Sequence, residues 1–194
     1  MDDDAPPPTE RTSMHGSPDC SSGSSATGVD PAAFRSVLGR FPTGVVAVTG
    51  LDPASGLPAG LAVNSFTSVS LDPPLVAFCV AHTSTTWPIM RTAARLCVNI
   101  LAEPQRDVSE RLAFGNGPDK FAGVRWTHGP GGAPLIDGAL AWIECSVEQE
   151  HVAGDHLIVV ARVHDLAEHQ GAGPLVFYGS GYGAFTPFTP SPGL

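Results

Sequence analysis

The sequence predicts a mainly β fold, an antiparallel barrel carrying a few short helices. Three observations lead there. Apolar runs rich in Val, Ile, Leu and Cys recur at 45–49, 75–80, 95–101, 140–152 and 156–169, separated by Pro, Gly, Asn and Asp. No long helical period alternates with them, as a doubly wound sheet would require. The two longest runs are joined only by Ala153-Gly154-Asp155, so they form a hairpin. Many strands at this turn-punctuated spacing close best as a barrel.

The chain of 194 residues is 42% apolar, which suits one globular domain burying roughly 70% of its extended-chain surface. Three segments are expected: a disordered N-terminal tail at 1–29, a folded domain at 30–185 and a C-terminal tail at 186–194. The first is Pro, Ser, Gly and Asp with few large apolar residues, too little to offset its ordering entropy. The last, TPFTPSPGL, is Pro-rich.

The net charge of −9 is concentrated in the first 30 residues, and no Lys/Arg cluster exists for a nucleic-acid backbone. No apolar run reaches membrane-spanning length, and the acidic N-terminus is no secretory signal. Cys20, Cys79, Cys97 and Cys145 follow no metal spacing, and the last three sit in strand-like runs as small hydrophobes. A reduced, cytoplasmic protein is expected.

In chain order, Asp30-Pro31 starts a helix over 32–39, with Asp at the N-cap, Pro at N1 and Phe34, Val37 and Leu38 on one side. Residues 40–44 are a loop and 45–49 a β-branched strand. Residues 52–58 form a hairpin connection. The stretch 60–84, GLAVNSFTSVSLDPPLVAFCVAHTS, organises the chain. Residues 64–70 loosely alternate Phe66 and Val69 with hydroxyls, so one face can enter a core while the other offers donors and acceptors. Asp72-Pro73-Pro74 is a stiff turn, because each proline fixes its own φ. Residues 75–80 read as a strand buried on both faces. Thr85 or Thr86 caps a short helix at 87–92.

A strand at 95–101 is interrupted by Asn99, which needs a partner if buried. Cofactor contact and a structural hydrogen bond are both open for it. A polar helix spans 104–112, a loop 115–120 and a short strand 124–127. Residues 129–134 are a flexible connection. In the long hairpin, Ile143, Cys145 and Val147 face inward and Glu144, Ser146 and Glu148 face water. A final strand covers 174–178.

Dinucleotide-fold, P-loop, zincin and nucleophile-elbow motifs are all absent. A bound redox cofactor is the natural remaining source of chemistry. The hydroxyls and amides of Asn64, Ser65, Thr67 and Ser68 suit a flat ring edged with carbonyls and nitrogens. His82-Thr83-Ser84-Thr85-Thr86 places hydroxyls and N–H groups before a helix, which serves either as a cap or as an anion site. Lys120 is the lone lysine, by default a solvated cation. His156 follows a turn, where a histidine is ordinarily just exposed. His151, His156 and His164 follow no metal-binding spacing, and no metal is assigned.

VNSFTSVSLDPPLVAFCV, with RFPTGVVAVT before it and GDHLIVVARV after it, resembles the flavin reductase-like family. The resemblance runs over about residues 34–185. It implies a split β-barrel of antiparallel, Greek-key type that dimerises and binds flavin at the subunit interface. It implies flavin contacts from Thr43, Asn64, Ser65, Phe66, Thr67 and Ser68; Asn99 stays open as above, and Tyr182 either stacks near the site or is a core aromatic. Ser84 and Thr85 would meet the ribityl or phosphate portion, with Lys120 near phosphate and Phe121 against the flavin. Gly154, Asp155 and His156 form the Gly-Asp-His feature that goes with nicotinamide binding. The chain departs from the family at Gly179, Ser180 and Gly181, where a basic residue is common, so no cationic contact is carried over there.

The implied activity is NAD(P)H-dependent reduction of FAD, with FMN possible, for a partner flavin-dependent monooxygenase. NADH is favoured because no Arg cluster stands near His156 for a 2′-phosphate. The alternative is a non-catalytic flavin carrier or sensor built from the same residues. A pyridoxamine phosphate type oxidase is disfavoured by too few basic residues.

Overall fold

The structure, a computed structural model, describes residues 28–115 and 117–188. The expected tails at 1–29 and 186–194 therefore lie largely outside the described residues. None of the described helices is long and apolar enough to cross a membrane.

The elements run α1 (Pro31–Leu38), β1 (Thr43–Gly44), β2 (Val46–Leu51), β3 (Pro58–Val63), β4 (Thr67–Leu71), β5 (Pro74–Ala81), α2 (Trp87–Met90), β6 (Leu96–Ile100), α3 (Arg106–Phe114), β7 (Trp126–His128), β8 (Pro134–Ile136), β9 (Ala141–Ala153), β10 (His156–Glu168), β11 (Leu175–Tyr178) and β12 (Gly181–Ala184). Seven strands pair in the order β3-β2-β6-β9-β10-β5-β4, every ladder antiparallel. The circuit is open between β3 and β4, so the barrel is split rather than closed. Two register shifts in the β9–β10 ladder, at Val160/Ala161 and Val163/Asp165, let this long hairpin bend around the core.

The barrel interior is filled from all walls by Val46, Val48, Leu61, Phe78, Val98, Cys145 and Val159, with Trp87 and Met90 of α2 closing it. The Trp87 ring meets Phe78 edge-on at 5.7 Å between centroids. A second core lies between α3 and the other side of β2, where Val45, Ala47, Leu101, Val108, Leu112 and Phe121 pack. Near-continuous apolar runs were needed in β2 and β6 because these strands are covered on both faces.

Several expectations change. Asp30 caps α1 as predicted, its carboxylate accepting from the Ala33 N–H at 2.9 Å. Yet α1 buries no residue, and Phe34, Val37 and Leu38 are exposed. Likewise Leu71 is 92% exposed, and Val69 is exposed beside it. Residues 129–134 are no loose connection but the tight turn of the β7–β8 hairpin, a pairing the sequence did not reveal. β1, read as a loop, pairs with β11, and β12 was also missed.

Glu144 is the largest correction. It was assigned to the wet face, but it is only 2% exposed. The β7–β8 turn folds over it, and its carboxylate accepts from the N–H groups of Gly131 at 2.6 Å and Ala133 at 3.1 Å. Asn99 fastens the same hairpin. Its amide donates to Thr49 Oγ1 at 3.0 Å and Ala47 O at 3.2 Å, while its Oδ1 accepts from the Ile136 N–H at 2.8 Å. The reading left open for Asn99 is thus resolved as structural. Asn99→Ala is expected to cost about 2 kcal/mol in urea unfolding, since it strands a buried N–H.

Candidate functional site

The split between β3 and β4 is where the candidate site forms. Asn64, Ser65 and Phe66 carry the chain across the gap outside any ladder. Ser65 replaces the missing pairing with its side chain: its hydroxyl accepts from the Cys79 N–H at 2.8 Å and lies 3.4 Å from Cys79 O. Two cavities open on either side of this crossing, and Asn64 and Ser65 line both.

The larger cavity, about 910 Å³, is mostly apolar and is walled by Phe34, Phe41, Thr43, Phe66, Thr67 and Phe177. Thr43 Oγ1 is buried there with no hydrogen-bond partner, the one such side-chain atom among the described residues. A buried hydroxyl left unpaired costs about 1–3 kcal/mol unless something supplies a partner. That orphan fits a ligand with a polar edge in an otherwise apolar trough.

The smaller cavity, about 500 Å³, is polar, and Thr83, Ser84, Thr85, Lys120 and His156 line it. The helix that follows the hydroxyl run is a single turn, so its dipole adds little and the side chains themselves must bind an anion. Thr86 holds the N-cap position as expected but makes no side-chain cap bond; Ser84 Oγ accepts from the Trp87 N–H at 3.2 Å instead. Thr85 stays exposed.

Lys120 is not the solvated cation that a lone lysine usually is. It is buried, and Nζ donates to Leu112 O at 2.9 Å, Thr86 Oγ1 at 3.1 Å and Gly60 O at 3.4 Å. These are neutral acceptors, so the cavity wall carries an uncompensated positive charge. Burial holds the Lys120 pKa below the ordinary lysine value.

Gly154 takes φ +64 at the tip of the β9–β10 hairpin, a conformation glycine adopts without strain. The turn aims His156 into the polar cavity. Asp155 Oδ1 pairs with His156 Nδ1 at 2.7 Å, which leaves Nε2 for a ligand. The contact with His156 holds the Asp155 carboxyl below its usual range.

Three expected contacts fall away from the cavities. Phe121 is a core ring beneath Gly60, where an added Cβ would meet it at 3.1 Å. Ser68 lies in the β4–β5 ladder, and Asn99 lies under the β7–β8 hairpin. Tyr182 lines a small neighbouring cavity with Asn64, its hydroxyl 2.9 Å from Ser109 Oγ. Residues the sequence reading missed are Phe41, Arg35, Cys79 and Phe114, all cavity-lining. Nothing in the sequence marked Phe41 or Phe114, because their exposure is decided by the fold. Burial pushes the Cys145 thiol up to about 12 and raises Cys97 as well, so these two remain packing groups. Among the described residues no cluster of His, Cys, Asp or Glu could hold a metal ion.

A trough of hydroxyls and amides on a split barrel, flanked by a buried ammonium and a positioned imidazole, describes a site for a flat, phosphorylated heteroaromatic. Residues 38–186 match the family described as Flavin reductase like domain, and the chain belongs to that family. A flavin reductase of Pseudomonas putida is 46% identical over 81% of this chain and 91% of its own length. The reductase subunit HsaB of a flavin-dependent monooxygenase from Rhodococcus jostii is 44% identical over 84% of this chain and 82% of its own. An NADH:FAD oxidoreductase of Streptomyces globisporus, solved with NAD and FAD fragments, superposes with a TM-score of 0.75. It is 34% identical and covers 82% of this chain and 94% of that one.

Proposed function

We propose that this chain is an NADH-dependent flavin reductase that uses FAD in preference to FMN and supplies reduced flavin to a flavin-dependent monooxygenase. One observation carries the reading. Asn64 and Ser65 join an apolar trough holding the unpartnered Thr43 hydroxyl to a polar trough holding Lys120 and His156. A ring needs the first environment, and a ribityl phosphate and a nicotinamide need the second. The names of the relatives support flavin reduction for a monooxygenase.

Flavin, when bound, supplies an N5 that accepts hydride from C4 of the nicotinamide. The chain's own task is placement, since a near-attack geometry accounts for much of such a barrier. Thr43, Asn64 and Ser65 would hold the ring's polar edge. The main-chain N–H groups at Ser65 and Phe66, outside the ladders, are available to developing negative charge. Ser84, Thr85 and Lys120 would hold phosphate. His156, fixed through Asp155, would orient the nicotinamide. No arginine lines the polar cavity among the described residues, which favours NADH over its 2′-phosphorylated form.

The working unit is residues 30–185, acting as a cytoplasmic homodimer. Support for the dimer is the unpartnered apolar surface around the large cavity: Phe34 and Leu38 of α1, and Phe41, which is 73% exposed. The free thiols of Cys79, Cys97 and Cys145 suit a reducing compartment.

The direct test is loss of nicotinamide absorbance on mixing protein with NADH or NADPH and with FAD or FMN in turn. Fastest oxidation with NADH and FAD is expected. No oxidation, with flavin still bound, would replace the reductase reading with a carrier. For His156→Ala the expected result is about a tenfold rise in the KM for NADH, with the flavin Kd within about twofold. Equal loss of both would remove His156 from nicotinamide positioning.

A further inference from the structure

We infer that Phe114 is a stacking platform for the adenine of FAD and sets the preference for the dinucleotide over FMN. The inference rests on the flavin reading of the site. Phe114 is the last residue of α3 and is 80% exposed, although the helix buries Val108, Ser109 and Leu112 well. Exposure alone is ordinary for a single apolar side chain, but this ring stands at a cavity mouth, where it is available to a ligand.

Its position is specific. Phe114 lines both the polar cavity of Lys120 and the small neighbouring cavity of Tyr182. Two residues before it, Leu112 O accepts from Lys120 Nζ at 2.9 Å, so the ring stands beside the cationic wall. One residue after it, the chain turns sharply at Gly115, whose N–H closes on Arg111 O at 2.8 Å. A side chain at 115 would meet Arg111 O at 2.5 Å and Lys120 Cγ at 3.1 Å. The glycine therefore lets Lys120 pack directly against the end of the helix that presents Phe114. A nucleotide whose phosphate sits at Lys120 and whose chain continues outward passes this ring. FMN ends at its single phosphate. FAD continues through a second phosphate to an adenine, a flat base that stacks on an exposed aromatic side chain.

The test is titration of the protein with FAD and with FMN, read by flavin fluorescence, together with the KM for each. Phe114→Ala is expected to raise the FAD Kd about tenfold while the FMN Kd stays within about twofold. Phe114→Tyr should restore FAD binding, because it keeps the ring. Equal weakening of FAD and FMN, or a changed oligomeric state in size-exclusion chromatography, would overturn the assignment. So would an unchanged FAD-to-FMN ratio. If wild-type protein binds neither flavin, the flavin reading falls with it. If wild-type protein binds both and the variant leaves their ratio unaltered, only the role of Phe114 falls.

Discussion

Glu144→Ala is expected to destabilise the fold by about 4 kcal/mol and to lower the unfolding midpoint by about 10 °C. The carboxylate serves two buried main-chain donors, Gly131 N–H and Ala133 N–H, and the hairpin β7–β8 has closed water out. Truncation leaves both donors unpaired and opens a void. Glu144→Gln should recover part of the loss, because the amide can accept from one N–H but presents a donor to the other. Gly131→Ala provides a cross-check. Its Cβ would lie 2.7 Å from Glu144 Oε2, so that change should also destabilise. In the Glu144→Ala background the collision disappears, and the double variant should be less unstable than the two single effects predict together. Strict additivity in calorimetry would show that the carboxylate does not hold the turn.

Lys120→Met should weaken FMN and FAD binding by about thirtyfold and riboflavin binding by no more than about twofold. Nζ already donates to three acceptors of the chain, so it acts on phosphate as a charge: at about 8 Å and an effective dielectric of about 20 that is about 2 kcal/mol, and every 1.4 kcal/mol is tenfold. Riboflavin lacks the phosphate and so reports on ring binding alone. A parallel loss for all three would make the ammonium a purely structural bolt.

The same substitution has a signature in stability. Burial holds the Lys120 pKa below the ordinary 10.5, so between the folded and unfolded values the unfolded chain binds more protons. Wild-type stability therefore gains from this residue as pH rises through that window. Below it, the penalty of the buried charge is present in full. Any stability advantage of the Met variant near neutral pH should shrink as pH approaches 10. A difference that stays constant there would contradict the buried-charge account.

Much of the fold was legible because strands declare themselves through local chemistry. The runs that became β2, β5, β6, β9 and β10 are β-branched and apolar, and their turns carry Pro and Gly. The cap at Asp30 and the turn at Gly154 were equally local. Less was legible for β8 and β12, which are only three and four residues long, PLI opening on a proline and GYGA half glycine, while β7 overlaps the strand expected at 124–127. Each pairs with its neighbour across a short turn, β7 with β8 and β12 with β11, so shortness rather than distance along the chain hid β8 and β12. The face of Glu144 was misread for another reason. Period-two alternation separates two faces but does not say whether a later hairpin will cover the second one.

At the site, residue types were readable and partners were not. The hydroxyl run 64–70 and the Gly-Asp-His turn stood out as sequence, and the cavities formed where they meet. Phe121 and Asn99 have the chemistry of ligand contacts, but their strands and loops turn them into the core. Phe114 and Phe41 carried no reading of their own in the sequence, and the fold leaves both exposed at cavity mouths.

By itself, the sequence determined a mainly antiparallel β body, its principal turns and the short polar stretches able to contact a flavin. Those depend on backbone preference and side-chain alternation, which act over a few residues. Only the tertiary structure decided where the barrel stays open, that Glu144 and Lys120 are buried, and which aromatics face the trough. Those depend on which distant segments shield one another from water, and burial of that kind is written in no local window of the chain.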